Sequence, residues 1–354
     1  MKSLAAILVE QKAPLVLEEV EIPRLALGQV LVKVLSSGIC GSQLGEIDGV
    51  KGPDRFLPHL LGHEGAGIVL ECGEGVATVR RGDKVVLHWR KGAGLESTTP
   101  TYDSRIGPVH AGWVTTFNEY AVVSENRVTV IDGDFDPDWA ALFGCAVTTA
   151  FGVINNDAQL KIGHSVAVLG VGGVGLSIVQ GAAMVSACPI VAVDLYDNRL
   201  ALAQKLGATH TINSAKTDPE SEIRSIVGSG GTDVAVDTTG SVQLIEMAYR
   251  VTSARGRTVL VGVPPKGSAA AIHTLPLHFN KRLVGSHGGQ CRPEVDIPNY
   301  VRLAKAGRLD LAPCIGRRYP LADINRAIDD MRSGEIAGRA IIKMDMPKNR
   351  AWSW

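Results

Sequence analysis

The stretch from Ser165 to Asp194 limits the possible folds more than any other part of the chain. An apolar run, SVAVLG at 165–170, leads into Gly170-Val171-Gly172-Gly173-Val174-Gly175. A helix-forming run, VGLSIVQGAAMV, follows, and a second apolar run, PIVAVD, ends on Asp194. A G-x-G-x-x-G pattern alone arises easily in a chain with 40 glycines. Its place between an apolar strand and a helix, with an acid ending the next strand, makes it specific. Gly170 permits the tight turn, Gly172 lets the backbone approach a pyrophosphate, and Gly175 lets the helix pack close on the strand. Gly173 and Val174 carry the loop into the helix, whose free N–H groups and positive dipole end suit an anion.

Asp194 lies 19 residues beyond Gly175. A carboxylate there can accept hydrogen bonds from both ribose hydroxyls and would repel a 2′-phosphate, so NAD is expected over NADP. Arg199, one turn further on, either faces the adenosine ribose or clamps the acid. The bland alternative is a tight strand–helix turn with a solvated aspartate.

The same alternation continues. DNRLALAQKLGA reads as a helix, and HTIN, DVAVDTTG and RTVLVGV as short strands with helices between. Strands that are apolar throughout and alternate with helices mean a parallel sheet covered on both faces. Before about residue 147 the pattern is different. LAAILVE, QVLVKVLSSGI, GAGIVLECG and DKVVLHW are rich in β-branched residues and separated by turns such as RRGD, without helical periodicity. They predict a β-rich domain, a barrel or a sandwich. From about 287, VDIPNYVRLAKAG and LADINRAIDDMRSG read as helices and RAIIKM as a strand. The tail AWSW is expected to set its two tryptophans over a surface groove.

Composition narrows the function classes. The 354 residues suffice for two domains, and 45% hydrophobic against 20% charged residues can fill sizeable cores. A formal net charge of +0 argues against a general nucleic-acid or anionic-membrane binder. No run approaches the roughly 20 apolar residues of a membrane span. MKSLAAILVE meets Glu10 too soon for a signal peptide and reads as a first strand. The six cysteines, at 40, 72, 145, 188, 291 and 314, are scattered, form no CxxC, and fit a reducing cytoplasm.

Three residues stand out in Gly-flanked turns at the ends of apolar runs: Cys40 in SSGICGSQ, His63 in LLGHEGAG and Cys145 in ALFGCAVTTAFG. Singly, each has a plain reading as a small buried hydrophobe or a structural histidine. With a dinucleotide loop 25 residues after Cys145, a shared site becomes the stronger reading.

From end to end the chain resembles the zinc-dependent medium-chain alcohol and polyol dehydrogenases. The motifs that carry the resemblance are GICGS, GHEGAGIV, GDKVV, GCAVTTAFG, VAVLGVGGVGLS, VAVDLYDNRLALAQKLGATHTIN, VGVPP and GSHGG, in that order. The resemblance implies a β-rich GroES-like catalytic domain over 1–148. A Rossmann-type doubly wound parallel sheet would span 149–286, and a C-terminal segment, 287–354, would return to the catalytic domain. Cys₂His is the known catalytic zinc set of alcohol dehydrogenases, and the resemblance maps it onto Cys40, His63 and Cys145. It maps an acid that can approach the zinc onto Glu64, and the hydroxyl that takes the alcohol proton onto Ser42. Thr149, Val263, Ser286, His287 and Gly288 would lie by the nicotinamide, and Arg339 by the pyrophosphate. The implied chemistry is Lewis-acid acidification of an alcohol, with a hydride leaving for NAD. The family's habit of forming homodimers or homotetramers is also implied.

The chain departs from the family in three places. Many relatives carry four closely spaced cysteines after GDKV, but LHWRKGAGLESTTPTYDSRIGPVHAGW has none, and His88 and His110 are too few for a closed site. One zinc per chain, without a structural zinc, is therefore expected. Gln43 stands where relatives have an aspartate that orients the zinc-bound histidine; its amide oxygen can still accept a hydrogen bond from the ring, but it brings no charge. Gly45 stands where simple alcohol dehydrogenases often place a relay histidine.

The resemblance places Trp89 and Phe117 in the walls of a substrate pocket, with His88, Arg90, Lys91 and His287 adding polar groups. Such groups suit a secondary alcohol or ketone of the polyol, sugar or cyclitol kind. A simple alcohol, with HWRK pointing to solvent, is the alternative. A zinc-free double-bond reductase and a non-catalytic nucleotide sensor on the same fold are the further readings, and the complete Cys–His–Cys set speaks against both.

Overall fold

The computed structural model describes residues 1–344; the AWSW tail and its expected groove lie outside them. The chain divides into two units, Met1–Cys145 with the segment from Arg292 onward, and Ala146–Cys291. The expected borders, 148/149 and 286/287, fall a few residues away. The helix Ala146–Gly152 begins the second unit, and the turn Gly288–Gln290 packs so close to it that a Cβ on Gly152 would strike the Gly289 carbonyl.

The first unit is β-rich. The strands Lys2–Leu8, Val16–Glu21, Thr101–Ser104, Val109–His110 and His59–Leu60 close a small barrel. A second sheet runs Val128–Ile131, Lys84–His88, Glu64–Cys72, Gln29–Gly38, Arg339–Lys343, Ile315–Pro320, and Tyr120–Ser124 also pairs with Gln29–Gly38. QVLVKVLSSG shows why: its side chains alternate between two cores. Val30, Val32 and Val34 pack with Val69, Val85, Leu87 and Val123. Leu31, on the other face, packs with Ala5, Ile7, Val20 and Tyr102. Each such buried aliphatic side chain contributes about 1.5–3 kcal/mol.

The C-terminal segment completes this unit. Arg339–Lys343 pairs antiparallel with Gln29–Gly38, Ile341 opposite Gly38 and Lys343 opposite Ser36. The helix Ile324–Arg332 buries Ile324, Ala327 and Ile328, spaced three and four apart, against Ile39, Leu61 and Phe117. Asp138 ties the pieces together, meeting Lys343 Nζ at 2.6 Å, Arg318 Nε at 2.7 Å and the Ser36 hydroxyl. These cations and the Ser36 hydroxyl hold its carboxyl below its ordinary value against the opposing effect of burial.

The second unit is a sheet of wholly parallel strands. In chain order its strands are Val166–Leu169, Ile190–Asp194, His210–Asn213, Thr232–Asp237, Thr252–Leu260 and Arg282–Gly285, and their spatial order is 3-2-1-4-5-6. This is the doubly wound order, with the switch of direction between Val166–Leu169 and Thr232–Asp237. The glycine loop therefore opens at the switch point. Among the described residues no helix is long and apolar enough to cross a membrane.

Candidate active site: a buried Cys–His–Cys centre and a glycine loop

Three loops of the first unit deliver the soft donors. Cys40 follows the strand Gln29–Gly38 and caps the short helix Gly41–Ile47 from an extended conformation. His63 immediately precedes the strand Glu64–Cys72. Cys145 follows the turn after the helix Pro137–Leu142. Gly144 makes that last approach possible, because a Cβ there would strike the Leu87 carbonyl and lie 2.6 Å from the Glu64 Cα. The thiols of Cys40 and Cys145 and one ring nitrogen of His63 lie within 4.8 Å of one another, and both cysteines are buried. Among the described residues this is the only His, Cys, Asp or Glu cluster with metal-holding geometry.

The electrostatics ask for a cation. The Cys40 thiol is held well below its ordinary value by its hydrogen bond with Cys145, helped by the charges of Arg339 and His63. Cys145 is pushed well above its ordinary value by Cys40, by burial and by Glu64. Burial and mutual repulsion thus oppose a second negative charge on this pair. A divalent ion is what allows both to be thiolates. His63 Nε2 is buried without a hydrogen-bond partner. Two thiols, one imidazole nitrogen and a dry setting fit zinc, which Cys40, His63 and Cys145 would hold.

Glu64 is fully buried at the start of its strand, with Oε1 2.8 Å from Nε of Arg339. Burial opposes the Arg339 charge, but Cys40, Glu64 and Cys145 outweigh it and raise its pKa above the ordinary guanidinium value. Arg339, read from the sequence as a pyrophosphate residue, sits in the first unit with its guanidinium on Glu64 and the Ile39 carbonyl. The pairing of Arg339–Lys343 with Gln29–Gly38 puts it there, a long-range contact with no local signal. Ser42 lies two residues after Cys40, and its Oγ is buried without a partner.

Three expectations need correction. Gln43 does not accept from the His63 ring. Its Oε1 accepts the Cys40 N–H at 2.7 Å, which turns its Nε2 toward His63 Nδ1, also at 2.7 Å. His88 does not face a substrate: it is 1% exposed, with Nδ1 on the Arg90 carbonyl at 2.7 Å and Nε2 on the Thr129 hydroxyl at 2.9 Å. Phe117 is 0% exposed within the core around Ile39 and Leu61, so it offers no surface to a ligand. Trp89 stays close to the metal turn, its backbone N–H donating to the Gly144 carbonyl at 3.4 Å. Lys91 reaches away to Glu96, 2.6 Å off, and Arg90 lies against the Trp89 ring.

In the second unit the glycines separate by role. Gly170 has φ +84, the left-handed region that favours glycine. A Cβ on Gly175 would collide with the Gly170 carbonyl, so this position brings helix and strand into contact. A Cβ on Gly172 would meet nothing within 4 Å, which is open space at the N-cap of the helix Gly173–Met184. Thr238, from the loop after Thr232–Asp237, donates to the Gly170 carbonyl at 2.7 Å. Asp194 accepts from the N–H groups of Val171, Leu195 and Tyr196 at 2.8, 2.8 and 3.1 Å. Arg199 is placed as a clamp, Nη1 3.8 Å from Asp194 and its guanidinium over Tyr196. Thr149 and the turn from Ser286 to Gly289 come together: a Cβ on Gly289 would strike the Thr149 carbonyl, and Ser286 Oγ accepts the Gly289 N–H at 2.9 Å. Val263 and His287 are exposed.

A buried Cys–His–Cys centre in a β-rich unit and a glycine loop at a doubly wound switch point together define a zinc-dependent dehydrogenase. The chain belongs to the zinc-dependent medium-chain dehydrogenase/reductase family. Residues 26–133 match the family described as "Alcohol dehydrogenase GroES-like domain" and residues 173–306 that described as "Zinc-binding dehydrogenase". The chain is 33% identical to "Alcohol dehydrogenase 1" of Pisum sativum across 98% of both sequences. Among solved structures it is similar to benzyl alcohol dehydrogenase from Acinetobacter calcoaceticus, with TM-score 0.87 and 29% identity over 97% of this chain and 99% of that one. It is also similar to 2R,3R-butanediol dehydrogenase from Bacillus subtilis, with TM-score 0.78 and 27% identity over 97% and 100%.

Proposed function

We propose that this oxidoreductase transfers a hydride between NAD(H) and a secondary alcohol or ketone of the polyol, sugar or cyclitol kind. The observation that carries the reading is the meeting of Cys40, His63 and Cys145 within 4.8 Å in a buried setting. A zinc ion held by these three supplies Lewis acidity toward an alcohol or a carbonyl oxygen. Ser42 Oγ, buried and unpartnered, receives the proton that the alcohol gives up. Glu64 adds negative charge beside the thiols, and Arg339 holds its carboxylate in place.

The cofactor is read from the second unit. The open space at Gly172 admits a pyrophosphate, and the Asp194 carboxylate favours NAD by repelling a 2′-phosphate. Thr149, Val263, Ser286 and His287 take the nicotinamide end, as the family pattern implies. Assembly into dimers or tetramers and a reducing cytoplasm complete the proposal.

A second reading has one specific observation behind it. With His88 withdrawn into the core and Lys91 turned to Glu96, fewer polar groups remain for a hydroxyl-rich substrate, which favours a simple alcohol. A rate comparison with NAD across inositols, sugar alcohols and plain primary alcohols separates the two. Faster turnover of secondary polyols is the expected result; faster turnover of plain primary alcohols would sink the polyol reading. Loss of turnover on chelation is expected in either case.

A further inference from the structure

Gln43 is a planar amide wedged between two partners, and its hydrogen-bond polarity conflicts with the metal site beside it. One partner, the Cys40 backbone N–H, can only donate, and it lies 2.7 Å from Oε1. That contact decides which end of the amide is oxygen. The NH₂ end then faces Nδ1 of His63 at 2.7 Å, and the side chain is 0% exposed, so no water can mediate. An NH₂ group facing Nδ1 requires a lone pair there, and a neutral imidazole must then carry its proton on Nε2. Nε2 is the nitrogen that has no hydrogen-bond partner and is left to meet the thiols. To bind a cation it must present a lone pair, which moves the ring proton to Nδ1. Nδ1–H would then confront the Gln43 NH₂ donor to donor.

Turning the amide by half a turn relieves that contact but creates another, because the NH₂ then confronts the Cys40 N–H. No orientation of an amide satisfies both donors. A carboxylate accepts from both. We propose that Gln43 is a positioning residue that sets a weak, readily exchanging hold on zinc, through this unavoidable donor–donor contact. The inference rests on the zinc reading above and concerns how tightly the ion is kept. Neighbours that hydrogen-bond a metal-ligating histidine change metal affinity by about 10–100-fold, and an effect of that size is expected here.

The test is competition for zinc between the holoenzyme and a chromophoric chelator, for the wild type and Gln43→Glu, which keeps the shape and supplies two acceptors. At least about tenfold tighter retention by Gln43→Glu is expected. Equal retention in two folded, zinc-containing proteins would overturn the proposal. Absence of zinc from both would remove the zinc reading itself, so the two failures are distinct. If Gln43→Glu does not fold, the wild type alone decides. Selective ¹⁵N-histidine labelling should show the His63 proton on Nδ1 with zinc and on Nε2 after chelation. A proton on Nδ1 in both states would overturn the proposal.

Discussion

Single residues in this protein are governed by what surrounds them more than by their type. His88 sits in HWRK among groups that look like a polar pocket edge, yet the strand Lys84–His88 turns its ring inward, opposite Glu64. Burial pushes its pKa down from 6.5 to about 4. The neutral ring suits its partners, since Nδ1–H donates to the Arg90 carbonyl and Nε2 accepts from Thr129. The folded pKa is the lower one, so below pH 6.5 the unfolded chain binds a proton that the folded chain refuses. Stability is therefore full above that pH and falls as the pH drops toward 4. At roughly 1.4 kcal/mol per pKa unit, the loss is on the order of 3 kcal/mol. Urea unfolding of wild type and His88→Gln across this range should show a shallower decline for the variant, and parallel curves would refute the assignment. Sequence alone could not show the inward turn, because His88 ends an alternating strand whose register is set by its neighbours.

Elements place the chemistry. The glycine loop was legible because its signal is local: strand, loop, helix and acid lie within thirty residues of chain. The structure adds a division of labour among glycines that look alike in sequence. Gly175→Ala drives a methyl into the Gly170 carbonyl, and overpacking of this kind costs about 1–3 kcal/mol or more. Gly172→Ala meets open space and keeps an ordinary φ of −70. It should melt within roughly 4 °C of the wild type while binding NADH at least about tenfold more weakly, a loss of about 1.4 kcal/mol. Thermal melts and NADH fluorescence titration check both. Unchanged NADH affinity in Gly172→Ala would remove the pyrophosphate from this place. The pairing of Arg339–Lys343 with Gln29–Gly38 is the opposite case: it brings Arg339 to Glu64 and Lys343 to Asp138 from 275 and 205 residues away, and no periodicity announces it.

At the scale of the whole molecule, the region after GDKVV tests whether a second metal is needed. Here Glu125, buried to 1% exposure, accepts from the N–H groups of Ala77, Thr78 and Leu95 at 2.7, 2.6 and 2.7 Å. These bonds hold its carboxyl below its ordinary value although burial works the other way. Arg127 and Lys91 meet on Glu96 at 3.0 and 2.6 Å to fasten the same loop. A carboxylate gathering backbone donors fastens this loop, and the proposal of one zinc per chain is tested by counting the metal. Elemental analysis after desalting should return no more than about one equivalent, and loss of that zinc in Cys145→Ser would place it at the buried centre. Two equivalents would refute the single site.

The alternation of strands and helices in the second unit, the β-rich character of the first and the glycine loop were legible in the chain as written, because they rest on short-range patterns: alternation, turn glycines, and an acid at a strand's end. The three soft donors came as a set only from the family resemblance, and the helices Gly41–Ile47 and Pro137–Leu142 of the first unit carried no local signal that was read. Only the folded chain decided which way Gln43 turns, that Arg339 guards Glu64, and that His88 and Phe117 belong to the core. Each of these depends on a partner distant in sequence, and side-chain direction there is set by packing and by the pairing of buried donors with acceptors.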